Sequence, residues 1–381
     1  MGIPRYKIAF DGVAAQEDIY ENLIRLEIVD ATNRAGGIMV RLGISLQEDG
    51  EWSYLKDDRF DLYKRVTVSM GFGQERDLPL FEGYILHLAP HFDPQEELCY
   101  LELRGLDATC LMNLEEKLTS WAGQSHSDIA SQIFNSYGIS PDVADAPTTH
   151  EQDGNVLLQR GTDIRFLKEL AARNGFDCYV SLDDNGTVKG NFKPVDLTAS
   201  SLPPLAVHFE GVTNVQFLDL QVSGNPPLSF SGWCMNLDDR TVEKIDKTDY
   251  AQNLLGKESL IDVVKSKVEQ LSIPVQGASR SYRGDTVFLD RSELDGALKG
   301  RQDRQGWFLR AKGIVNGEAY GAAIRGRKVV AVKGLGTRYS GNYLVSSVRH
   351  VIAEGEYEQH VELIRNGWGV AGNESFQGAA R

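Results

Sequence analysis

The stretch from Val329 to Ile364 constrains the fold of this chain more than any other part. It contains three runs rich in β-branched and aromatic residues, separated by breaks that contain glycine: VVAVKGLGTRYSGNYLVSSVRHVIAEGEYEQHVELI. In the last run Tyr357, Val361 and Leu363 fall on one face of an extended chain, and they alternate with charged residues. The pattern predicts an antiparallel meander with one buried face and one solvent-exposed face.

The glycine-rich break at residues 334–341 is not predicted to bind phosphate. A phosphate-binding loop opens a helix whose N-terminal amides meet the anion, whereas the residues from Asn342 onward are typical of a strand. Tyr339 also stands where the third glycine of a dinucleotide fingerprint would be. We therefore expect a plain connection between two strands.

The first 105 residues show a similar strand pattern. Tyr6, Ile8 and Phe10 alternate with polar or small residues, and a period-two run follows from Ile38 to Leu46. About six strands at this spacing predict a small antiparallel barrel or sandwich rather than a parallel sheet.

The period becomes helical after about Asp107. One helix is predicted to start at Ser125, which with Asp128 resembles a capping box, and to stop at Gly138. A second is predicted from Thr162 or Asp163 to Gly175. Two short strand runs around the turn 183–186 then predict a hairpin.

A proline-rich joint at 200–204 marks a boundary. Strand patterns resume at 207–220 and 228–233, but residues 238 to about 315 are polar and mainly helical. One apolar helix face there consists of Leu260, Ile261, Val264, Val268 and Leu271. A second helix is predicted from Ser292 toward Leu309, although Gly296 and Gly300 oppose it. We interpret this region as an insertion in a second β domain that closes with the strands of 329–364.

Four motifs occur in the order and spacing of a known family. They are the run Arg338–His350, the strand Phe81-Glu82-Gly83-Tyr84-Ile85, the segment Leu103-Arg104-Gly105-Leu106-Asp107, and the helix with its following strand from Leu158 to Val180. In the last motif the family pattern is kept at Gln159, Asp163, Phe166, Leu167, Leu170, Ala171 and Gly175, whereas Thr162 and Gly161 depart from it. The chain thereby resembles the phage late control D family of tail and baseplate hub proteins, which is related to the hub domains of type VI and contractile injection system spike proteins.

The resemblance and the strand pattern together predict an α+β, β-rich fold. We expect two tube-forming antiparallel β-barrel domains, an α/β domain and a mainly helical insertion. The expected boundaries are 1–108 for the first barrel, 109–202 for the α/β docking domain, 203–237 with 312–368 for the second barrel, 238–311 for the insertion and 369–381 for a flexible tail.

The resemblance implies a structural role and no enzymatic activity. The chain is expected to be the baseplate hub of a contractile phage tail or phage-like injection system, a homotrimer that adapts a sixfold tail tube to a threefold spike. Its implied partners are the hexameric tube protein, a separate spike protein and other baseplate proteins, and DNA or effector cargo is expected to pass through the channel without stable binding. The implied location is the virion or injection particle, assembled in the bacterial cytoplasm.

Composition agrees with these expectations. The net charge is −14 and no cluster of lysines and arginines longer than a few residues occurs, which argues against stable nucleic-acid binding. No apolar run approaches the roughly 20 residues that span a bilayer, and no secretory signal precedes the first strand, so membrane insertion is not expected. Cys99, Cys110, Cys178 and Cys234 are scattered and predict free, mostly buried thiols.

No catalytic, cofactor-binding or metal-binding residue is predicted. Asp183, Asn185 and Gly186 resemble part of a calcium loop, but Phe192 replaces the bidentate glutamate, so a hairpin turn is favoured. Among the histidines (His87, His91, His126, His150, His208, His350 and His360), only His87 and His91 have metal-ligand spacing, and that spacing requires a helix. Trp121, Trp233, Trp307 and Trp368 are candidate interface anchors, with packing inside the chain as the simpler interpretation.

Two other functions stay open on the sequence. One is a peptidoglycan hydrolase associated with the tail tip, which would use two of the many carboxylates as acid and base. The other is a cargo or effector adaptor.

Overall fold

The structure is a computed structural model that describes residues 4–32, 34–73, 76–146, 156–198, 202–224, 229–236, 240–247, 253–270, 280–288, 291–353 and 355–372. A few positions considered above lie outside these ranges: His150, Leu271, residues 200–201 of the proline-rich joint, the start of the 238–311 region and residues 373–381 of the tail. The side chain of Val268 is also outside the description.

The N-terminal part of the chain forms an antiparallel strand set. Its strands are β1 (Arg5–Phe10), β2 (Val13–Ala14), β3 (Leu23–Ala31), β4 (Gly37–Gly43), β5 (Arg65–Gly71), β6 (Leu78–His91) and β7 (Tyr100–Leu106), with helix α1 (Glu17–Glu21) between β2 and β3 and 3₁₀ turns at Asp58–Phe60 and Glu96–Leu98. The predicted alternation is visible in β4, where Ile38, Val40 and Leu42 are buried. These side chains pack into one hydrophobic core with those of β1, β5 and β7.

An α/β unit follows, with its own core. It contains a 3₁₀ turn (Ala108–Asn113), β8 (Glu116–Trp121), α2 (His126–Ser136), β9 (Ser140–Val143), β10 (Leu157–Thr162), α3 (Asp163–Asn174), β11 (Asp177–Leu182) and β12 (Val188–Lys193). Both predicted helices are confirmed. The Ser125 hydroxyl accepts the Asp128 backbone N–H at 3.1 Å, and Gly175 ends α3 in the left-handed conformation.

The Leu158–Val180 motif forms a buried polar network in this unit. The Gln159 amide donates to Asp163 Oδ1 at 2.7 Å and accepts from Trp121 Nε1 at 3.0 Å. Lys117 and Tyr137 both reach Asp163 Oδ2, at 2.6 and 2.7 Å. Burial alone would raise the pKa of Asp163, but the hydrogen bonds from Lys117, Gln159 and Tyr137 hold it below its ordinary value. The motif therefore stabilises the packing of α3 against β8 and the end of α2.

The C-terminal part supplies a second strand set and the region inserted in it. The elements are β13 (Leu205–Ala206), β14 (Val215–Val222), β15 (Ser229–Asn236), β16 (Thr241–Lys247), α4 (Leu260–Gln270), β17 (Arg280–Phe288), α5 (Arg291–Gln305), β18 (Leu309–Asn316), α6 (Gly317–Tyr320), β19 (Val329–Lys333), α7 (Gly336–Tyr339), β20 (Gly341–Ala353) and β21 (Glu356–Arg365). The predicted meander is β19, β20 and β21. Both predicted helices of the inserted region are present as α4 and α5, and β16 and β17 are two further strands that the sequence pattern did not reveal.

Gly296 and Gly300 oppose a helix by propensity, yet both lie in α5. A Cβ on Gly300 would lie 2.4 Å from the Gly175 Cα, and a Cβ on Gly296 would lie 2.9 Å from the Arg173 carbonyl oxygen. The glycines let α5 approach the end of α3 backbone to backbone. An ion pair between Arg173 and Glu293 at 2.9 Å adds to the same contact.

The two strand sets belong to one large sheet in the order β14-β18-β21-β20-β3-β4-β7-β6-β5-β1-β2, with β19 and β13 attached to β20. The junction is the antiparallel pairing of β20 with β3, from Ser347 opposite Ala31 to Ala353 opposite Arg25. Ile352 and Tyr357 of the second set also pack into the core of the first set. The β-rich α+β class predicted from sequence is thus confirmed, with the strand sets joined edge to edge.

His350 lies at this junction, opposite Ile28, and its ring is buried against Tyr357. Its Nδ1 is 2.8 Å from the Tyr357 hydroxyl. Burial, with the nearby Arg325, lowers the pKa of His350 to about 4. The ring is therefore neutral at physiological pH.

Replacing Asp163 with Asn is expected to lower the free energy of unfolding by about 2 kcal/mol near neutral pH, because charge-assisted hydrogen bonds to Lys117 and Tyr137 are weakened. Since the folded pKa of Asp163 is depressed, its contribution is present above the unfolded pKa and is lost as pH falls through the folded value. Urea unfolding at neutral and acid pH should show a difference that shrinks in acid. The exposed Glu169→Gln variant is the control, and an equal loss in both variants would contradict the network.

His350→Gln should flatten the acid side of the stability profile. With a folded pKa below the unfolded one, the unfolded chain binds more protons, so wild-type stability falls as pH drops from about 6.5 toward 4, by up to about 3 kcal/mol. Urea midpoints measured across this window test the prediction. His208→Gln, at an exposed histidine outside the main strands, is the matched control and should keep the wild-type slope.

Candidate assembly surface

The two strand sets have the same strand order. The first runs β3-β4-β7-β6-β5-β1 and the second β14-β18-β21-β20-β19-β13. The long strands pair antiparallel with their neighbours in both sets, although β13 has only two residues and pairs parallel with β19. The chain therefore contains one β module twice; we call these copies module 1 and module 2.

Two irregularities in strand pairing fall at matching places in the two modules, whereas the shift between Val68 and Ser69 of β5 has no counterpart in β19. The register of β6 against β7 shifts between Ile85 and His87, and that of β20 against β21 shifts between Val345 and Ser347. The register of β3 against β4 shifts after Leu23, and that of β14 against β18 shifts after Val215. These matches fix a residue-by-residue equivalence between modules whose sequences differ.

A buried charged side chain follows the last strand of each module at equivalent positions. Asp107 accepts the backbone N–H groups of Gly36 and Thr109 at 2.6 and 2.9 Å, and burial raises its pKa. Arg365 is completely buried and donates to the carbonyl oxygens of Leu255 and Ser340 at 2.9 and 3.0 Å. Each charge holds a loop against the end of its module; Asp107 closes the Leu103–Asp107 motif of the sequence, whereas no motif includes Arg365.

The face of the sheet opposite the cores is charged and runs across both modules. Glu102 lies between Arg41 and Arg104 at 2.6 and 2.5 Å, and Lys312 pairs with Glu362 at 2.8 Å. Burial works against the ionised form of Glu102, but the two guanidinium groups hold its pKa below the ordinary value. We call this surface the polar face.

Arg327 connects three parts of the molecule. Its guanidinium lies 2.5 Å from Asp30 of β3, also donates to the Ala31 carbonyl oxygen, and stacks over the Tyr179 ring of the α/β unit at 3.9 Å. A cleft of about 280 Å³ beside it is lined by groups of both signs, including Asp177 and Arg325. Burial raises the pKa of Asp177, and its charged neighbours Arg304 and Arg327 counteract that rise. The cleft lies between module 1, the α/β unit and residues 325–328, and its acidic and basic side chains face one another.

The candidate sites considered from sequence are accounted for by local structure. Asp183 Oδ1 accepts the backbone N–H groups of Asn185 and Thr187, both at 2.9 Å, so it closes the β11–β12 hairpin turn. His87 and His91 lie on strand β6, not on a helix. Within the described ranges no group of three or more His, Cys, Asp or Glu side chains is placed to hold a metal ion.

The glycine-rich loop connects β19 to β20 through the four-residue helix α7, as a connection between strands was predicted to do. Trp121 and Trp307 are buried, whereas Trp368 stacks on Phe308 and is covered by Arg338. Trp233 is partly exposed on β15. All four cysteines are buried free thiols, as expected. Among the helices that the structure describes, none combines the length and apolar character required to cross a membrane.

Several solved structures share this fold, and they include phage tail proteins and a type VI secretion component. A 43 kDa tail protein of prophage MuSo2 from Shewanella oneidensis superposes with a TM-score of 0.66 at 15% identity, covering 95% of this chain and 98% of that one. A tail protein from Neisseria meningitidis MC58 gives 0.63 at 11% identity, covering 96% and 97%. An Escherichia coli component of the type VI secretion system gives 0.55 at 11% identity, covering 94% and 76%.

No curated protein matches the chain in sequence. The protein-family model described as the Alg8 N-terminal domain matches residues 2–203, which comprise module 1, the α/β unit and the joint that follows. Because this match spans more than half of the chain, the protein belongs to the family of the Alg8 N-terminal domain.

Proposed function

We propose that this protein is the structural hub of a contractile phage tail baseplate or a phage-like injection system, active as a homotrimer. The observation that carries the proposal is the duplicated β module within one chain, with matching strand order and matching register shifts. Three chains would place six similar modules around one axis while keeping threefold symmetry. Such an object can meet a sixfold tube on one side and a threefold spike on the other.

Three further observations support this role. The fold is shared with phage tail proteins and with a type VI secretion component. The motifs at Phe81–Ile85, Leu158–Val180 and Arg338–His350 resemble the late control D family. The chain carries a net charge of −14, and an acidic wall around a channel repels phosphates, so that nucleic acid can pass without being held.

In this proposal the two modules form the tube-like part and the α/β unit, residues 109–202, is a docking domain at its side. The partners are the hexameric tube protein, a separate spike protein and neighbouring baseplate proteins. The protein works by shape and symmetry and catalyses no reaction. It assembles in the cytoplasm of the bacterium and resides in the particle.

The purified protein is expected to sediment as a trimer, at three times the 42.2 kDa of one chain, alone or together with its spike. Sedimentation velocity and native mass spectrometry measure this directly. A strict monomer under both conditions would refute the hub. Turnover of peptidoglycan by the pure chain, abolished by one carboxylate substitution, would instead favour a hydrolase.

A further inference from the structure

Among the described residues, two strand edges of the chain's sheet, β14 and the C-terminal half of β6, are the counterparts of the two strands that pair at the junction between the modules. Inside the chain, the C-terminal half of β20 pairs with β3. By the equivalence of the modules, β20 corresponds to β6 and β3 corresponds to β14. On the described residues, β14 is the terminal strand of the sheet, and the C-terminal half of β6 pairs with β7 on one side.

Apolar side chains that are covered at the internal junction are exposed at these two positions. Val348 and Ile352 of β20 are 0% and 5% exposed, whereas their counterparts Leu88 and Phe92 are 41% and 52% exposed. Leu88 of β6 and Phe92, the residue after β6, thus stand where module 2 has buried apolar residues.

The same contrast holds for the partner strand. Leu26 and Ile28 of β3 are almost fully buried, while their counterparts Leu218 and Leu220 on β14 are only half-buried. Phe217 and Val222, both on β14, are 46% and 39% exposed. An apolar strand edge of this kind must be paired or covered in a stable assembly.

We propose that a second copy of this chain occupies the position, its β14 pairing antiparallel with β6 of the first copy in the register of the internal junction. That register places His87 opposite Ser223, Leu88 opposite Val222, Ala89 opposite Gln221, Pro90 opposite Leu220, His91 opposite Asp219 and Phe92 opposite Leu218. We call this contact the subunit seam. The number of copies that it joins rests on the proposed function.

The residues whose backbone N–H and C=O groups face outward on the two edges are the ones that this register places opposite each other. At the internal junction the Ser346 carbonyl oxygen accepts the Thr32 N–H at 2.9 Å. The backbone N–H and C=O groups of every second residue of β20 therefore face β3. The counterparts whose backbone groups face the corresponding edge are Leu86, Leu88 and Pro90 of β6 and Phe92, which follows it. Directly after β14, the Ser223 N–H donates to the Phe308 carbonyl oxygen at 2.9 Å. The backbone groups of the preceding residue, Val222, therefore face away from β18.

Pro90 removes one backbone hydrogen bond from the seam, because proline has no N–H. Its counterpart in module 2 is His350, whose backbone N–H and C=O face β3. Proline is tolerated on the outer side of an edge strand, where it weakens indiscriminate pairing. The seam therefore depends more on its apolar contacts than the internal junction does. Paired head to tail, the seam alternates with the internal junction around the assembly, and it closes a ring when three copies have joined.

Disulfide cross-linking of Ala89→Cys with Gln221→Cys tests the register. Their counterparts Arg349 and Val29 form a non-hydrogen-bonded pair, where Cα atoms lie about 4.5 Å apart, within reach of a disulfide. All native cysteines are buried, so background cross-linking is low. Mild oxidation of the double variant should give covalent dimers and trimers on a denaturing gel and no larger species.

Controls separate the seam from accidental contact. Either single variant alone should stay monomeric on the gel, and a mixture of the two single variants should give dimers only. Ala89→Cys with Asp219→Cys is the register control, since this diagonal pair lies about 7–8 Å apart and should cross-link poorly. Efficient cross-linking in the register control with none in the designed pair would overturn the proposed register.

Charge substitution tests the apolar contact. Leu88→Glu should weaken association at least tenfold in sedimentation while circular dichroism stays native, because Leu88 is already exposed in the single chain. Leu88→Lys combined with Val222→Glu should restore much of the loss, since opposite charges would face each other. Leu118→Glu, at an exposed leucine of β8, is the matched control and should leave association unchanged.

The outcomes distinguish the seam from the hub itself. A trimer by native mass without the designed cross-link would overturn the seam and leave the trimeric hub standing. Cross-linked species that continue beyond three chains would support the seam and refute the closed trimer. A monomer that neither cross-links nor responds to Leu88→Glu would overturn both.

Discussion

The pairing of β20 with β3 is the interaction on which the rest of this structure depends. It joins strands from opposite ends of the chain, and it converts two separate strand sets into one sheet. Backbone N–H and C=O groups of a buried strand must be paired, so a continuous ladder is the natural way for two β modules to share a boundary without exposing an edge. The pairing also adds to the hydrophobic core of module 1, because residues of β20 and β21 fill part of that core.

Side chains reinforce the ladder from both sides. His350 is buried beside Tyr357 in the core, and Arg327 holds Asp30 of β3 while it stacks on Tyr179 of the α/β unit. The α/β unit is therefore attached at the place where the modules meet. A rotation of one module against the other would have to break these contacts together, so the contacts favour a rigid arrangement of the two modules.

The two modules share their strand geometry although their sequences differ. Equivalent positions hold Gly83 and Tyr343, Pro90 and His350, or Asp107 and Arg365, which share no side-chain chemistry. What the modules share is the alternation of buried and exposed residues, the strand order and two of the register shifts. A sheet tolerates this divergence because its ladder is made by the backbone, whereas side chains need only keep the correct face apolar.

The sequence by itself determined the elements whose signals are local: the meander of β19 to β21, helices α2 and α3 with their caps, the β11–β12 hairpin and the β-rich class. It did not determine β16 and β17, the glycine contact between α3 and α5, or the functions of Asp107, Arg327 and Arg365. Each of these depends on a partner far along the chain, and local periodicity carries no information about partners. Only the tertiary structure decided that β20 meets β3, and thereby which edges of the described strands lack a neighbour, because pairing joins residues that are far apart in the chain.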